Sequence, residues 1–235
     1  MDMRGIELTW LGHASVRLRT SDGTVVLIDP WLAGNPACLP SEHEQQRVDT
    51  VFITHGHFDH VSSVLDVAHR HRPRIFAIHE IANWLGGKGI ENVTGLNMGG
   101  TVAAPGVTAA TLVPAVHSSG ITGDTGIVDG GSPGGWVLEL SGGLKVYHAG
   151  DTMVFSDMSL IGELWAPDIA LLPIGGHYTM DPRQAGRAAQ LIGAGTVVPI
   201  HYGTFPILAG TPDELRAQIG DAAEVVQLDS CVPMT

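Results

Sequence analysis

The chain has 235 residues, 44% of them hydrophobic, which is enough to fill a substantial core in one large domain spanning 1–235. Lys and Arg number 12 against 24 Asp and Glu, and a formal charge of −12 repels a phosphodiester backbone unless a local cationic centre reverses the field, so nucleic acid is not an expected partner. Two cysteines far apart, Cys38 and Cys231, signal neither a thiolate metal site nor a disulfide framework, and the lack of an apolar leader or of an apolar run of ~18 residues predicts a cytoplasmic protein without a membrane partner.

Alternation in IELTW and SVRLR, the turn SDGT and the apolar run VVLID predict a strand meander at the outset. After the Pro-rich segment from Pro30 to Pro40, VDTVFIT reads as a buried strand that ends at THGHFDHVS, Thr54 to Ser62. VSSVLDVAHRHR has helical spacing and is stopped by Pro73, after which RIFAIH returns to strand. Glycines break residues 86–106 into short strand-like pieces, and VTAATLVPAV is a further strand. The stretch from Gly120 to Gly135 is the richest in glycine and reads either as a solvent loop or hairpin tip, or as a cover over a site. GWVLEL, GLKVYHAG and PDIALLPIG read as strands, with a helix from about Asp157 to Trp165 between the last two. Asp181, Pro182 and Gln184 form a helix start with a capping box, and Gly193 or Gly195 ends that helix. TVVPIH is a strand, TPDELRAQI a second capped helix from Thr211, and AEVVQL a last strand. Early hairpins followed by partial strand–helix alternation give an α/β or α+β chain with helix-covered sheets.

The histidines decide the functional reading. His55, His57, Asp59 and His60 put four ligand-type residues into six positions. His55 and His57 are two apart on one side of an extended segment, so both imidazoles reach one ion, while Asp59 and His60 lie where the chain turns into a helix and can face a second. His117, Asp151, His177 and His201 each follow an apolar strand, so one rim of a sheet collects them, and His117, Asp151 and His201 can supply the remaining donors. Neutral imidazoles with a hard carboxylate suit Zn, Mn, Fe or Ni rather than calcium. An exposed polar turn is the alternative, and it leaves the coincidence with three further ligand-type residues unexplained.

THGHFDH resembles the T-H-x-H-x-D-H signature of the metallo-β-lactamase superfamily, and later segments follow in that family's order. VLIDP resembles its strand-end aspartate motif, PAVHSS its third-histidine motif, HAGDT its bridging-aspartate motif and VPIHYGTFP its last-histidine motif. The wording LGHAS, HAGDT, LLPIGGHYTMDP and HYGTFP is similar to small metal-dependent hydrolases related to the ascorbate-6-phosphate lactonases. The resemblance implies an αββα four-layer sandwich, with mixed sheets and helices on the outer faces, and a dinuclear centre at one sheet edge. It assigns His55, His57 and His117 to one ion, Asp59, His60 and His201 to the other, and Asp151 to both; the ions are two divalent metals, Zn foremost, with Mn, Ni or Fe as alternatives. It also implies a catalytic metal-bridging hydroxide, with Asp59 and Asp151 in the catalytic set; because that superfamily hosts several reactions, the bond is not given by the fold, and an ester, lactone or phosphoester of a small anionic metabolite is the first expectation.

Asp29 in this pattern supports the histidine loop, though a strand-ending turn aspartate is the alternative. His177, in IGGH, is expected to contact substrate or stabilise developing negative charge. His13 in LGHAS reads equally as a site residue and as a hydrogen-bonded turn histidine, His148 is assigned to the core, Tyr202 to packing, and His43, His69, His71 and His79 to surface or helix faces. Cleavage of nucleic-acid or lipid phosphodiesters is the enzymatic alternative, weakened by the lack of a Lys/Arg-rich insertion, and a non-catalytic metal-binding protein is the other. The redox use of diiron relatives is disfavoured, since their pattern has a glutamate where His57 stands. Exposed sheet edges leave self-association open as a further partner.

Overall fold

The computed structural model describes residues 1–123 and 125–235. The opening meander is β1 (Glu7–Trp10), β2 (Val16–Arg19) and β3 (Val25–Ile28), each antiparallel to the one before. Pairing then turns parallel through β4 (Thr50–Phe52), β5 (Arg74–Ile78) and β6 (Val93–Leu96), because helices carry the chain back between strands: α1 (Phe58–Val61) and α2 (Val64–His71), then α3 (His79–Gly87). A second sheet repeats this division. β7 (Thr101–Ala104), β8 (Val107–Pro114), β11 (Gly134–Leu140) and β12 (Lys145–His148) pair antiparallel. β13 (Ile169–Pro173), β14 (Thr196–Ile200) and β15 (Glu224–Val225) then continue parallel, with α4 (Met158–Trp165), α5 (Pro182–Ile192) and α6 (Pro212–Ile219) as crossovers.

The two sheets face each other, and the helices lie outside, giving the expected four layers. Period-two alternation sorts the second sheet: Val146, Ile169, Leu171, Val198 and Ile200 join the core shared with the first sheet, while Tyr147, Ala170, Leu172 and Val197 pack with Met158, Ile161, Ala185, Ala189 and Leu215 of the covering helices. His148 also points inward and is fully buried, as expected; its Nε2 donates to Ala14 O at 2.9 Å while Nδ1 accepts from Gly150 N at 3.1 Å.

Three local readings change, and the glycine-rich stretch, left between a loop or hairpin tip and a cover, takes the hairpin form. The piece from His79 to Gly87 is helix, because Ile81, Ala82 and Leu85 bury one helical face that the following glycines obscure in sequence. AEVVQL contributes only two residues of strand, and a short β16 (Pro233–Met234) instead pairs with β1 at the edge of the first sheet. Asp181 accepts from Gln184 N at 2.8 Å without the reciprocal bond, whereas Thr211 and Glu214 make the full capping box. The glycine-rich stretch is a two-stranded hairpin, β9 (Gly120–Gly123) and β10 (Gly126–Asp129), that stands apart from both sheets; Asp124 lies outside the described residues. No described helix is long and apolar enough to cross a membrane. Cys38 and Cys231 are free thiols that approach each other, and burial together with the neighbouring Cys231 pushes Cys38 up to about 12.

Hydrogen bonds join the sheets where the histidine loop begins. Gly134 N donates to Thr54 O at 3.0 Å, Trp136 Nε1 to Ile53 O at 2.9 Å, and His201 N to His13 O at 2.8 Å. Gly150 sits in this joint at φ +62°, and a Cβ there would lie 2.7 Å from Gly134 O and 2.9 Å from Thr54 Cβ. Gly150→Ala is therefore expected to cost ~2 kcal/mol and lower Tm by about 4–8 °C in a thermal melt; an unchanged Tm would show that the joint is loose.

Candidate metal centre

The loop after β4 does two jobs in six residues. His57 is extended (φ −66°, ψ 151°) and forms the N-cap of α1, so His55 and His57 alternate onto one side before Asp59 and His60 enter the helical turn. His55 Nε2 lies 3.0 Å from His57 Nδ1. Asp29, fully buried at the end of β3, orients the loop: it accepts from Thr54 N at 2.8 Å, from Thr54 Oγ1 at 2.5 Å and from His60 Nδ1 at 2.7 Å. With its proton given to Asp29, Thr54 Oγ1 must accept from His55 Nδ1, 3.0 Å away. Nδ1 of both imidazoles is committed to these bonds, so each turns its Nε2 toward the centre. Asp29 supports the loop and is no mere turn residue.

Asp151 comes from the other sheet and meets this loop. Its carboxylate lies 3.3 Å from His60 Nε2, 3.9 Å from His55 Nε2, 3.6 Å from His117 Nε2 and 3.0 Å from His201 Nε2. His201 Nε2 is also 3.7 Å from Asp59 Oδ2. Donor atoms of His55, His57 and His117 all fall within 4.8 Å of one another, and so do those of His13, Asp59, His60 and His201. Among the described residues, four of the five buried polar side-chain atoms without a hydrogen-bond partner belong here: His60 Nε2, Asp151 Oδ1, and both ring nitrogens of His201. Each such atom costs roughly 1–3 kcal/mol if left unpaired. Orphaned nitrogen and oxygen donors converging on one point are what a divalent cation satisfies, so these residues fit a metal.

His13, left open by the sequence, belongs to the site. It is fully buried at φ +55°, with Nε2 2.8 Å from Asp59 Oδ2 and Nδ1 3.0 Å from Thr204 Oγ1. Burial, with His201 and His60 nearby, outweighs the Asp59 carboxylate and lowers its pKa to about 4. The neutral ring then donates Nε2–H to Asp59 and accepts from Thr204.

A family model described as Beta-lactamase superfamily domain matches residues 24–202. A UPF0173 metal-dependent hydrolase of Koribacter versatilis is 52% identical over 216 residues, covering 92% of each chain. The chain belongs to the UPF0173 metal-dependent hydrolases of the β-lactamase superfamily. The structure of Igni18, a metallo hydrolase from Ignicoccus hospitalis, is 38% identical, covers 97% of each chain and superposes with a TM-score of 0.86. The metallo-β-lactamase fold protein YhfI from Bacillus subtilis, 16% identical and covering 97% of this chain and 98% of its own, shares the fold with a TM-score of 0.72.

In this UPF0173 hydrolase the two donor groups differ in charge. Burial keeps His55, His57 and His117 below the ordinary imidazole value. Burial also disfavours charge on His60 and His201, but Asp151, with Asp29 for one and Asp59 for the other, outweighs it; His60 is held well above its usual value and His201 rises to about 9. Against the same burial, these imidazoles and His13 hold Asp59 and Asp151 below the usual carboxylate range.

A cleft of about 810 Å³ opens over the centre, lined by His57, Asp59, His117, Asp151 and His201 at its floor. His177 stands outside that lining. It is exposed at φ +59° after β13, its ring 4.4 Å from Tyr178, which does line the cleft. Tyr202 stacks on Trp10 at 5.3 Å, in keeping with a packing role. Among the residues given no site role by the sequence, Tyr178, Phe205 and Ile207 line the cleft; Tyr178 directly follows the singled-out His177, and the other two sit in the quoted HYGTFP segment or one residue past it.

Below pH 9 a metal entering the Asp59 group must displace the His201 proton, and the raised His60 adds a second, whereas the His55 group is already neutral. Metal loading at pH 7.5 is expected to release about two protons from this pair, so affinity weakens as pH falls. Calorimetric titration in buffers of different ionisation enthalpy measures this, and loading without proton release would contradict the assignment.

Proposed function

We propose that this UPF0173 member hydrolyses an ester, lactone or phosphoester bond in a small molecule with two divalent ions, Zn foremost and Mn, Ni or Fe acceptable to the same donors. The carrying observation is the Asp151 carboxylate, within 4 Å of imidazoles from both donor groups, His55 and His117 on one side and His60 and His201 on the other. In this reading His55, His57 and His117 hold one ion, Asp59, His60 and His201 the other, and Asp151 both. Such a pair supplies a water acidified toward neutral pH and an electrophile for the scissile carbonyl or phosphoryl oxygen.

The chain's own groups position this chemistry. Asp29 fixes the lone pairs of His55 and His60, through Thr54 for the first and directly for the second. His13 holds Asp59 Oδ2, the oxygen that lies 3.7 Å from His201 Nε2 and 3.9 Å from His60 Nε2. Ser118 Oγ, 3.3 Å from His57 Nε2, steadies that ring at the cleft wall. His177 lies outside the cleft lining and touches it only through Tyr178, so the substrate contact expected of it is not supported by its position.

The open cleft favours turnover over a closed structural metal site. Among the described residues that line it there is no lysine or arginine, which disfavours nucleic-acid phosphodiesters. The similarity in wording to ascorbate-6-phosphate lactonases supports a lactone or ester. Asp151→Ala, loaded with metal and assayed against p-nitrophenyl acetate, a δ-lactone and bis-p-nitrophenyl phosphate, is expected to lose more than about a hundredfold in rate on whichever the wild type cleaves. A loaded variant at wild-type rate would remove Asp151 from the reaction.

A further inference from the structure

The walls of the cleft are of a different character from its floor. Phe58, Ile127, Tyr178, Phe205 and Ile207 rise around the imidazoles and carboxylates. Phe58, Ile127, Tyr178 and Ile207 are 52%, 83%, 56% and 48% exposed, so four of the large apolar side chains this protein leaves in water face one opening. Scattered exposed apolar residues are ordinary; their convergence on a single concave site marks a binding surface.

The β9–β10 hairpin shows how the sequence builds one of these walls. Register pairs Ile127 with Thr122, Val128 with Ile121 and Asp129 with Gly120, so Gly120, Thr122 and Ile127 share a face, and all three line the cleft. The opposite face carries Ile121, 1% exposed, whose Cγ1 lies where a Cβ on Gly56 of the histidine loop would come within 2.6 Å. Ser119 bolts the base of the hairpin to that loop, accepting from Gly56 N at 3.1 Å and donating to Gly130 O at 3.1 Å. The bare backbone of Gly120 lets Ile127 fold back over it; a Cβ there would lie 2.6 Å from Ile127 Cγ2. Across the cleft, Trp31 is 5% exposed and backs both Phe58, at 5.6 Å, and Phe205, stacked at 6.0 Å. Both the hairpin wall and the aromatic wall are therefore held in place before a ligand arrives.

Charge points the same way. Among the described residues no lysine or arginine lines the opening, the charged residue on the cleft-facing side of the hairpin strands is the acid Asp129, and the chain as a whole carries −12. A second anionic group on a substrate has no cation to meet beyond the metals. We propose that Ile127, Phe58, Phe205, Tyr178 and Ile207 form a subsite for an uncharged aliphatic chain, so that the substrate is a carboxylic ester or lactone whose acyl part is apolar. This rests on the hydrolase reading and replaces the anionic metabolite expected from the metal centre alone.

Zinc-loaded protein titrated calorimetrically with aceto-, butyro- and octanohydroxamate keeps the metal-binding head constant and varies only the chain. The eight-carbon compound is expected to bind at least about tenfold tighter than the two-carbon one, and succinate monohydroxamate, with a charged tail, no tighter than acetohydroxamate. The double variant Ile127→Ser, Ile207→Ser is expected to shrink the gain to below about threefold with zinc content and Tm unchanged, because both side chains are largely exposed. Affinity independent of chain length, or preference for the charged tail, overturns the subsite. Parallel assays with p-nitrophenyl acetate and octanoate separate the two readings: a binding gradient without turnover keeps the subsite and sinks the hydrolase, and turnover without a gradient does the reverse.

Discussion

A single carboxylate, buried and surrounded by imidazoles, is the constraint around which the rest of this protein is arranged. Asp151 is 2% exposed and within 4 Å of His55, His60, His117 and His201. An isolated buried charge costs several kcal/mol, and here the chain offsets it with protons on His60 and His201 that metal ions would replace. Exchanging those two protons for two divalent ions would raise the charge of the centre by two, which suits it to polarise a carbonyl or phosphoryl oxygen.

Bringing these groups together takes both sheets. The donors lie at the carboxyl ends of β4, β8, β12 and β14, where side chains from separate strands can converge without interrupting a ladder. Hydrogen bonds from Gly134, Trp136 and His201 to the loops of the first sheet hold the two rims in register. The local geometry is demanding. His13, Asp29, His177 and His201 all sit at left-handed φ, from 47° to 59°, a region that costs a non-glycine residue about 1 kcal/mol or more. That strain falls at the rim of the centre, where surrounding packing and hydrogen bonds over-determine the backbone.

Much of this was legible in the chain itself, because the centre is written locally. His55, His57, Asp59 and His60 reach the centre from one loop, so their spacing alone encodes how two donor groups are shared. The strand-end positions of His117, Asp151 and His201 could be read once apolar runs marked the strands. What escaped was tertiary. His13 is separated from Asp59 by 46 positions and from Thr204 by 191, and no periodicity in LGHAS distinguishes a buried partner of a carboxylate from an ordinary turn. The helix at His79–Gly87 was hidden by terminal glycines, and the two-residue β16 is defined by its pairing with β1 rather than by its own composition. The hairpin at Gly120–Asp129 was recognisable as glycine-rich, but which of its faces meets the centre follows only from the register.

The division between a polar floor and apolar walls gives the proposed function a coherent logic: the floor would hold the ions that supply the reaction, and the hairpin and the aromatic wall would select what is presented to them. All of it depends on Asp151 serving both donor groups at once. Anomalous diffraction at the metal absorption edge, on crystals of the loaded protein, tests that most directly. The account predicts two peaks ~3.5–4 Å apart, each within bonding distance of an Asp151 oxygen. One peak alone, or two of which Asp151 touches only one, would contradict it.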